Sequence, residues 1–155
     1  MIKLRLSEIV QACGGECIFD DDVLIDNITA DSRSVRPGSL FAAIAGERTD
    51  GHNYISAAAR SGAAAVLCEK RPETEGIPYI LVNSTLKALQ DIAAYMINRK
   101  NIFRVGIGGS VGKTSTKEAV ASVLEQKYSV LKTQGNFNNG LGVPLMIFNL
   151  EEENE

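Results

Sequence analysis

Residues 108–118, GGSVGKTSTKE, combine glycines, hydroxyl side chains and a lysine. They lie between the apolar run 102–107, predicted as a strand, and residues 112–127, predicted as a helix. A loop that leaves a strand and opens a helix directs backbone N–H groups toward one point, where the helix dipole adds positive character. Glycines let phosphate oxygens approach that backbone closely. The stretch therefore predicts a site for the phosphates of a nucleotide.

The residues of this loop divide by role. Lys113 is predicted to bring a point charge to the β- and γ-phosphates, and the Thr114 hydroxyl has the position that holds Mg²⁺ in phosphate loops. Ser115 is close enough to be a second phosphate donor. The predicted cofactors are ATP and Mg²⁺, with Thr114 as the metal-binding residue. The cofactor-binding set is Gly109, Ser110, Val111, Gly112, Lys113, Thr114 and Ser115.

Two alternatives to a nucleoside triphosphate site stay open. The general phosphate-loop pattern asks for glycine five positions before Gly112, where this chain has Ile107. The dinucleotide pattern G-x-G-x-x-G fits Gly106 and Gly108, but Val111 stands at its third glycine and Lys113 then has no role. A plain glycine-rich connection is the other alternative. We favour phosphate binding of the ATP type.

Composition narrows the class of protein. The chain has 155 residues, 45% of them hydrophobic, and a net charge of −3, which gives no electrostatic case for nucleic-acid binding. Three cysteines and one histidine argue against a disulfide scaffold and a structural zinc site. No stretch approaches the roughly 20 apolar residues of a membrane span, and residues 1–15 have charges where a signal peptide needs its apolar core. We expect no membrane insertion and a cytoplasmic location.

The order of predicted elements indicates an α/β fold with two parts. Short strands and helices alternate over residues 1–83, which we expect to form a small α/β domain. Residues 84–155 follow as a linker helix and then the order strand 102–107, loop, helix, strand 129–133, helix. This order is typical of the start of a parallel sheet. Two strands and two helices make a poor core, so the second part is expected to be the truncated start of a parallel-sheet phosphate-loop domain.

Two separate stretches, in the same order and spacing, resemble the Mur ligase family of peptidoglycan synthesis. One is GSVGKTSTKE followed by TQGNFNNGLGVP, and the other is residues 31–67, which begin DSRSVRPGS. The resemblance extends over essentially the whole chain. Within the family, GNFNN favours the branch that adds D-alanyl-D-alanine over the branch that adds the third amino acid. Gly108 and Gly140 depart from the usual family pattern, and Gly140 puts one ATP or metal contact in doubt.

The resemblance implies an ATP-dependent carboxylate–amine ligase. Its reaction joins D-alanyl-D-alanine to UDP-N-acetylmuramoyl-tripeptide through an acyl phosphate, with Lys113 and Thr114 as catalytic residues that neutralise phosphate charge. Family members have three domains, so a chain that ends at Glu155 is expected to lack part of the active site and to be inactive alone. The implied substrate-binding residues are Ser32, Arg33, Gly46, Glu47, Arg48, Thr49, Asn138 and Asn139.

Most of these substrate assignments have a structural alternative. Ser32 is an ordinary turn residue and Arg33 is a candidate partner for an internal ion pair. Asp50, which follows the implied contacts, is favoured as a helix cap. The asparagines are either site contacts or turn residues before a helix, and we favour the site for Asn138 and Asn139 because three amides among glycines exceed what a turn requires. Three functions therefore stay open: part of the ligase, a UDP-sugar-binding module without ligase activity, and an unrelated phosphate-loop NTPase. If the chain is part of a ligase, the alternative is another ligase of the same family, such as the one that adds the third amino acid.

Overall fold

The structure is a computed structural model that describes residues 1–18, 22–46, 49–135, 137 and 139–155. The strands are β1 Leu4–Arg5, β2 Glu16–Ile18, β3 Leu24–Ile25, β4 Asn27–Thr29, β5 Ser39–Ala42, β6 Ala65–Cys68 and β7 Tyr79–Leu81. The helices are α1 Leu6–Cys13, α2 Ile55–Arg60, α3 Thr85–Asn98, α4 Lys113–Leu124 and α5 Gly142–Ile147. Short 3₁₀ turns span Ser32–Ser34 and Gly51–Tyr54.

Five strands form one sheet in the order β2-β7-β6-β5-β4. The four strands β4 to β7 are parallel neighbours, and β2 runs antiparallel to β7 at one edge. Strands β1 and β3 form a separate antiparallel pair. The predicted α/β class with a parallel sheet is confirmed. Because these four strands run in the same direction, the segments that follow β4, β5, β6 and β7 all leave the sheet on one side, where the carboxyl ends of the strands lie. We call this side the carboxyl edge of the sheet.

Both faces of this sheet are covered, which explains why its central strands are continuous apolar runs. Along β5, Leu40 and Ala42 face the larger core with α1 and α3, whereas Phe41 and Ala43 face α2. The same alternation continues in β6. Side chains on a strand alternate between faces, so a strand that is buried on both sides needs apolar residues at every position.

Helix α3 is the longest element and joins the two parts of the chain. It begins where the Ser84 hydroxyl accepts a hydrogen bond from the Lys87 amide at 3.3 Å. Its buried residues recur at helical spacing and pack on α1 and the sheet; they are Ala88, Leu89, Ile92, Ala93 and Met96. Arg99, just past its end, binds Glu8 of α1 at 2.6 Å. The same helix also contacts α5. The division of domains after residue 83 stays a prediction.

The second part of the chain differs from expectation in its strands. Helices α4 and α5 form as predicted, but residues 102–107 and 129–133 are assigned to no strand. A strand needs a hydrogen-bonded neighbour, and within the described residues these segments pair with none. Their apolar side chains line a cavity of about 510 Å³ together with α4 and α5, and Phe103 is 90% exposed. Among the helices described, none has the length and apolarity to cross a membrane.

Candidate functional site

The glycine-rich loop has two backbone positions that require glycine. Gly109 has φ of +145° and Gly112 has φ of +80°, both in the region that L side chains rarely adopt. Gly112 is the residue immediately before α4, so its left-handed conformation turns the chain into the helix. The space around Gly112 is open, and an added Cβ there would meet no atom within 4 Å. The backbone conformation, rather than crowding, is therefore what demands glycine at this position.

The first turn of α4 presents backbone donors to solvent. The first amide with an acceptor is that of Thr116, which donates to the Gly112 carbonyl at 2.9 Å. No side chain caps the helix, and within the part of the chain that the structure describes, the amides of Lys113, Thr114 and Ser115 have no acceptor. All three residues are exposed. Free N–H groups at the positive end of a helix are a favourable position for an anion.

Lys113 lies over the loop that precedes it. Its Nζ donates to the carbonyl of Gly109 at 2.5 Å and approaches that of Ser110 at 3.5 Å. The loop itself thus holds the ammonium group through the carbonyls of Gly109 and Ser110. The hydroxyls of Thr114 and Ser115 stand in the same exposed first turn and contact no acceptor among the described residues. An entering phosphate meets a cation, backbone donors and two hydroxyls within one turn of chain.

Charged side chains of α4 form hydrogen bonds and ion pairs with residues 129–133. Lys117 donates to the Thr133 carbonyl, and Glu118 lies 3.0 Å from Lys117 and 2.9 Å from Lys132. Hydrogen bonds from Lys132 and Lys117 lower the pKa of Glu118. The sequence indicated Lys117 as a surface residue, whereas its side chain is only 20% exposed. The bond to Thr133 was missed because nothing in the helix pattern indicates a carbonyl sixteen residues away.

The asparagine-rich segment supplies a helix cap. Asn139 accepts hydrogen bonds through Oδ1 from the amides of Leu141, at 3.2 Å, and Gly142, at 2.6 Å. Gln90 of α3 donates to the Gly140 carbonyl at 3.1 Å, so this segment is also tied to the long helix. Asn138 lies outside the described residues. Asn139 therefore stabilises the turn before α5 through its side-chain oxygen. Its contact with substrate stays a prediction, and its side-chain NH₂ group is the part that would make it.

At the edge of the sheet, the segment after β4 forms a compact turn around an ion pair. Asp31 accepts from the Arg33 amide at 3.0 Å and from the Arg33 guanidinium at 2.9 Å (Nε) and 2.7 Å (Nη2). These side-chain bonds, together with the amide, lower the pKa of Asp31 to about 2. Arg33 is 87% exposed, and Ser32 lies between the two in the 3₁₀ turn. The structure shows the ion pair; it leaves the outer edge of the guanidinium facing solvent.

The segment after β5 forms a second turn at the same edge. The Gly46 amide donates to the Thr49 carbonyl at 3.0 Å, and Ala45 and Asp50 form an isolated antiparallel bridge. Glu47 and Arg48, which the resemblance implicates in substrate binding, lie outside the described residues. Asp50 accepts from the His52 amide at 3.0 Å, which confirms its predicted role as a cap. Because β4 and β5 are parallel neighbours, the described predicted residues of both turns, Ser32, Arg33, Gly46 and Thr49, follow strands that end on the same side of the sheet.

Comparison with known families gives a match on each side of residue 103. A sequence profile described as "Mur ligase family, catalytic domain" matches residues 24–102. A second, described as "Mur ligase middle domain", matches residues 107–155 and so includes the whole loop from Gly109 to Ser115. Between them the two matches cover most of the chain.

Two curated relatives carry the same name. The chain is 43% identical over 139 residues to UDP-N-acetylmuramoyl-tripeptide–D-alanyl-D-alanine ligase of Synechocystis sp., a match that covers 88% of this chain and 31% of the relative. It is 37% identical over 153 residues to the ligase of that name from Escherichia coli, covering 99% of this chain and 33% of the relative. The chain thus spans about a third of the length of the curated relatives it matches.

Solved structures show the same similarity in three dimensions. MurF from Acinetobacter baumannii superimposes with a TM-score of 0.93 at 33% identity, over 98% of this chain and 34% of that one. MurF ligase from Thermotoga maritima, solved in complex with ADP, gives a TM-score of 0.77 at 37% identity, over 83% of this chain and 30% of that one. The arrangement of elements found here is therefore similar to a part of each of these enzymes.

Proposed function

The chain belongs to the Mur ligase family, and from that premise we propose that it is the N-terminal part of a ligase that adds D-alanyl-D-alanine to UDP-N-acetylmuramoyl-tripeptide. Both curated relatives described above carry this activity in their names. In this proposal the sheet of the first part binds the uridine nucleotide, and the glycine-rich loop binds ATP. The activity is placed in the cytoplasm, where ATP is available.

The observation that carries the proposal is the first turn of α4. The amides of Lys113, Thr114 and Ser115 lie in an exposed turn and have no acceptor among the residues that the structure describes, and the preceding loop holds the Lys113 ammonium group in place. A terminal phosphate of ATP fits this set of donors, because it has several oxygens that accept hydrogen bonds and a negative charge that the helix dipole favours. The T. maritima relative was solved with ADP bound, which supports the same assignment.

The residues present also suit a magnesium nucleotide. Thr114 would hold Mg²⁺ through its hydroxyl, an oxygen donor of the kind this ion prefers. Bound Mg-ATP would supply a phosphoryl group to the substrate carboxylate, with ADP as the leaving group, and the acyl phosphate so formed would be attacked by an amine with release of phosphate. The part of this chain is to orient the nucleotide through the backbone of residues 109–112 and to neutralise phosphate charge through Lys113.

We place the uridine nucleotide at the carboxyl edge of the sheet, where the turns after β4 and β5 lie. The Arg33 guanidinium uses one side for Asp31 and presents its outer side to solvent, where it can donate to a diphosphate. Ser32, Gly46 and Thr49 would add hydroxyl and backbone contacts. Glu47, Arg48, Asn138 and Asn139 complete the proposed substrate set. The solvent-facing donors of this exposed arginine make the carboxyl edge of the sheet suited to an anionic ligand.

The proposal is tested by titrating the 155-residue chain with Mg-ADP and, separately, with UDP-N-acetylmuramoyl-tripeptide in a calorimeter. Lys113→Met is expected to weaken nucleotide binding by about 10- to 100-fold, since a hydrogen bond to a charged group contributes about 1.5–3 kcal/mol. Lys127→Met is the matched control, because Lys127 is an exposed lysine beyond the opposite end of α4. Equal affinities of the two variants would contradict the assigned role of the loop.

A second candidate function is a UDP-sugar-binding module without ligase activity. It is favoured by one observation: residues 108–116 are all exposed, so no described part of the chain encloses a nucleotide bound there. Binding of UDP-N-acetylmuramoyl-tripeptide with no measurable binding of Mg-ADP would select this candidate for the isolated chain. Binding of both ligands would select the ligase part with a working nucleotide loop.

A further inference from the structure

A continuous series of hydrogen bonds runs through the sole histidine of the chain, His52. Its Nδ1 lies 2.6 Å from Oδ1 of Asp50, and its Nε2 lies 2.9 Å from the backbone nitrogen of Glu69. The carboxylate of Glu69 in turn accepts from the Thr85 amide at 2.8 Å. The imidazole is 10% exposed. We call this series, from Asp50 through His52 and Glu69 to Thr85, the His52 clasp.

The clasp determines which ring nitrogen carries the proton. The Glu69 amide is a donor only, so Nε2 must accept through its lone pair. The single proton of the neutral ring is therefore on Nδ1, from which it is donated to Asp50. The ring uses both nitrogens, one as donor and one as acceptor. Only the neutral Nδ1–H form of histidine satisfies both neighbours.

The clasp joins three elements that are distant in sequence. Asp50 ends the turn that follows β5, Glu69 comes directly after β6, and Thr85 is the first residue of α3. The charged group that contacts the ring within the described residues is the Asp50 carboxylate, and Lys70 lies 3.6 Å from the second oxygen of that carboxylate. The turn at the sheet edge is thus connected to the start of the helix that packs on both parts of the chain.

We infer that His52 is a positioning residue that holds Asp50 against the end of β6 and, through Glu69, the start of α3, and that it does so only while its ring is neutral. A second proton on Nε2 would face the N–H of Glu69, which would place two donors against each other and break the bond. Glu69 would then be free to move, and the Thr85 amide would lose its acceptor. We further expect the affinity for the uridine nucleotide to fall at low pH, and this consequence rests on the proposed function.

The clasp itself is tested on the intact chain without any ligand. Nitrogen-detected NMR of the ring reports its tautomer at pH 7.5 and its protonation state at pH 5.5, and amide hydrogen exchange reports the protection of Glu69 and Thr85 at both. We expect the Nδ1–H tautomer for the neutral ring. Where the spectrum shows a doubly protonated ring we expect, after correction for intrinsic rates, about tenfold less protection of both amides. An Nε2–H tautomer, or protection that does not change, would overturn the inference.

Two substitutions separate the two halves of the clasp. In His52→Gln the side-chain oxygen can occupy the place of Nε2 and accept from Glu69, but the side chain does not titrate. We expect protection of Glu69 in this variant to be retained at both pH values. In His52→Asn the shorter side chain can reach Asp50 only, so Glu69 is expected to exchange about tenfold faster at both. If the two variants gave the same exchange, the acceptor role of Nε2 would be refuted.

Ligand binding then separates this inference from the proposed function. Affinity for UDP-N-acetylmuramoyl-tripeptide is expected to fall at pH 5.5 in the wild type and at both pH values in His52→Asn, and to stay constant with pH in His52→Gln. If the wild type shows the clasp by NMR but binds no uridine nucleotide, the proposed substrate site fails and the clasp stands. If His52→Asn loses protection but binds as tightly as the wild type, the positioning role is overturned.

Discussion

Leu89 offers a direct measure of how strongly α3 holds the first part of the chain together. Its side chain is fully buried between α1 and the sheet. Replacing it with alanine removes three buried carbons, at about 0.8 kcal/mol each, or about 2.4 kcal/mol. The cavity that remains adds to this loss, so we expect Leu89→Ala to lower the free energy of unfolding by about 3–4 kcal/mol.

The assay is equilibrium unfolding in urea, followed by circular dichroism. With a slope near 2 kcal/mol per molar, the expected loss moves the midpoint down by about 1.5–2 M. Leu86→Ala is the matched control, since Leu86 lies one turn earlier on the same helix and is 37% exposed. The control should shift the midpoint by less than about 0.5 M. Equal shifts for the two variants would refute the assignment of Leu89 to the core.

Three further predictions concern the turns around the candidate sites. The carboxyl of Asp31, with its pKa lowered to about 2, is expected to titrate near that pH by NMR in the wild type. In Arg33→Met its pKa is expected to rise but to stay below the ordinary range, because the backbone amide at position 33 still donates to it. Because this pKa is lower in the folded state, the pair stabilises the fold above about pH 4 and loses that contribution as the pH falls toward 2. Gly51→Ala would place a Cβ 2.5 Å from the Ile44 nitrogen, so we expect a loss of about 2 kcal/mol or more in urea unfolding. Asn139→Ala removes the cap of α5 and is expected to cost about 1 kcal/mol, seen as faster amide exchange at the start of that helix.

Each of these predictions has an outcome that would contradict it. An unchanged carboxyl titration in Arg33→Met would mean that the guanidinium is not what holds the pKa of Asp31 down. Gly106→Ala is the control for Gly51, because an added Cβ at Gly106 meets no atom within 4 Å, and the two alanine variants should differ clearly in stability. If amide exchange at the start of α5 were unaltered in Asn139→Ala, the capping role of Asn139 would be contradicted, and its side chain would be available for the substrate.

The individual elements of the first part were predictable because their signals are local. Apolar runs bounded by turn residues indicate the buried strands, and the helical spacing of Leu89, Ala93 and Met96 indicates the buried face of α3. Either Ser84 or Thr85 is expected as its cap, and Ser84 occupies that position. Such features depend on residues a few positions apart, so one stretch of sequence contains the whole cause.

The strands of the second part show where local signals stop. Residues 102–107 have the composition of a buried strand, yet they pair with no strand in the described chain. The ladder bonds of a strand come from another segment, so apolar composition is necessary and not sufficient. The cavity beside α4 and the exposure of Phe103 follow from the same missing pairing.

For the candidate sites, the sequence by itself determined the chemistry of the loop from Gly109 to Ser115, because dihedral freedom, helix-end amides and a nearby lysine are all properties of consecutive residues. Only the tertiary structure decided which distant groups meet. It placed the Glu69 amide on the ring of His52 and the Thr133 carbonyl on Lys117. Contacts between residues sixteen or seventeen positions apart depend on how sheet and helices pack, and no spacing rule along the chain contains that information.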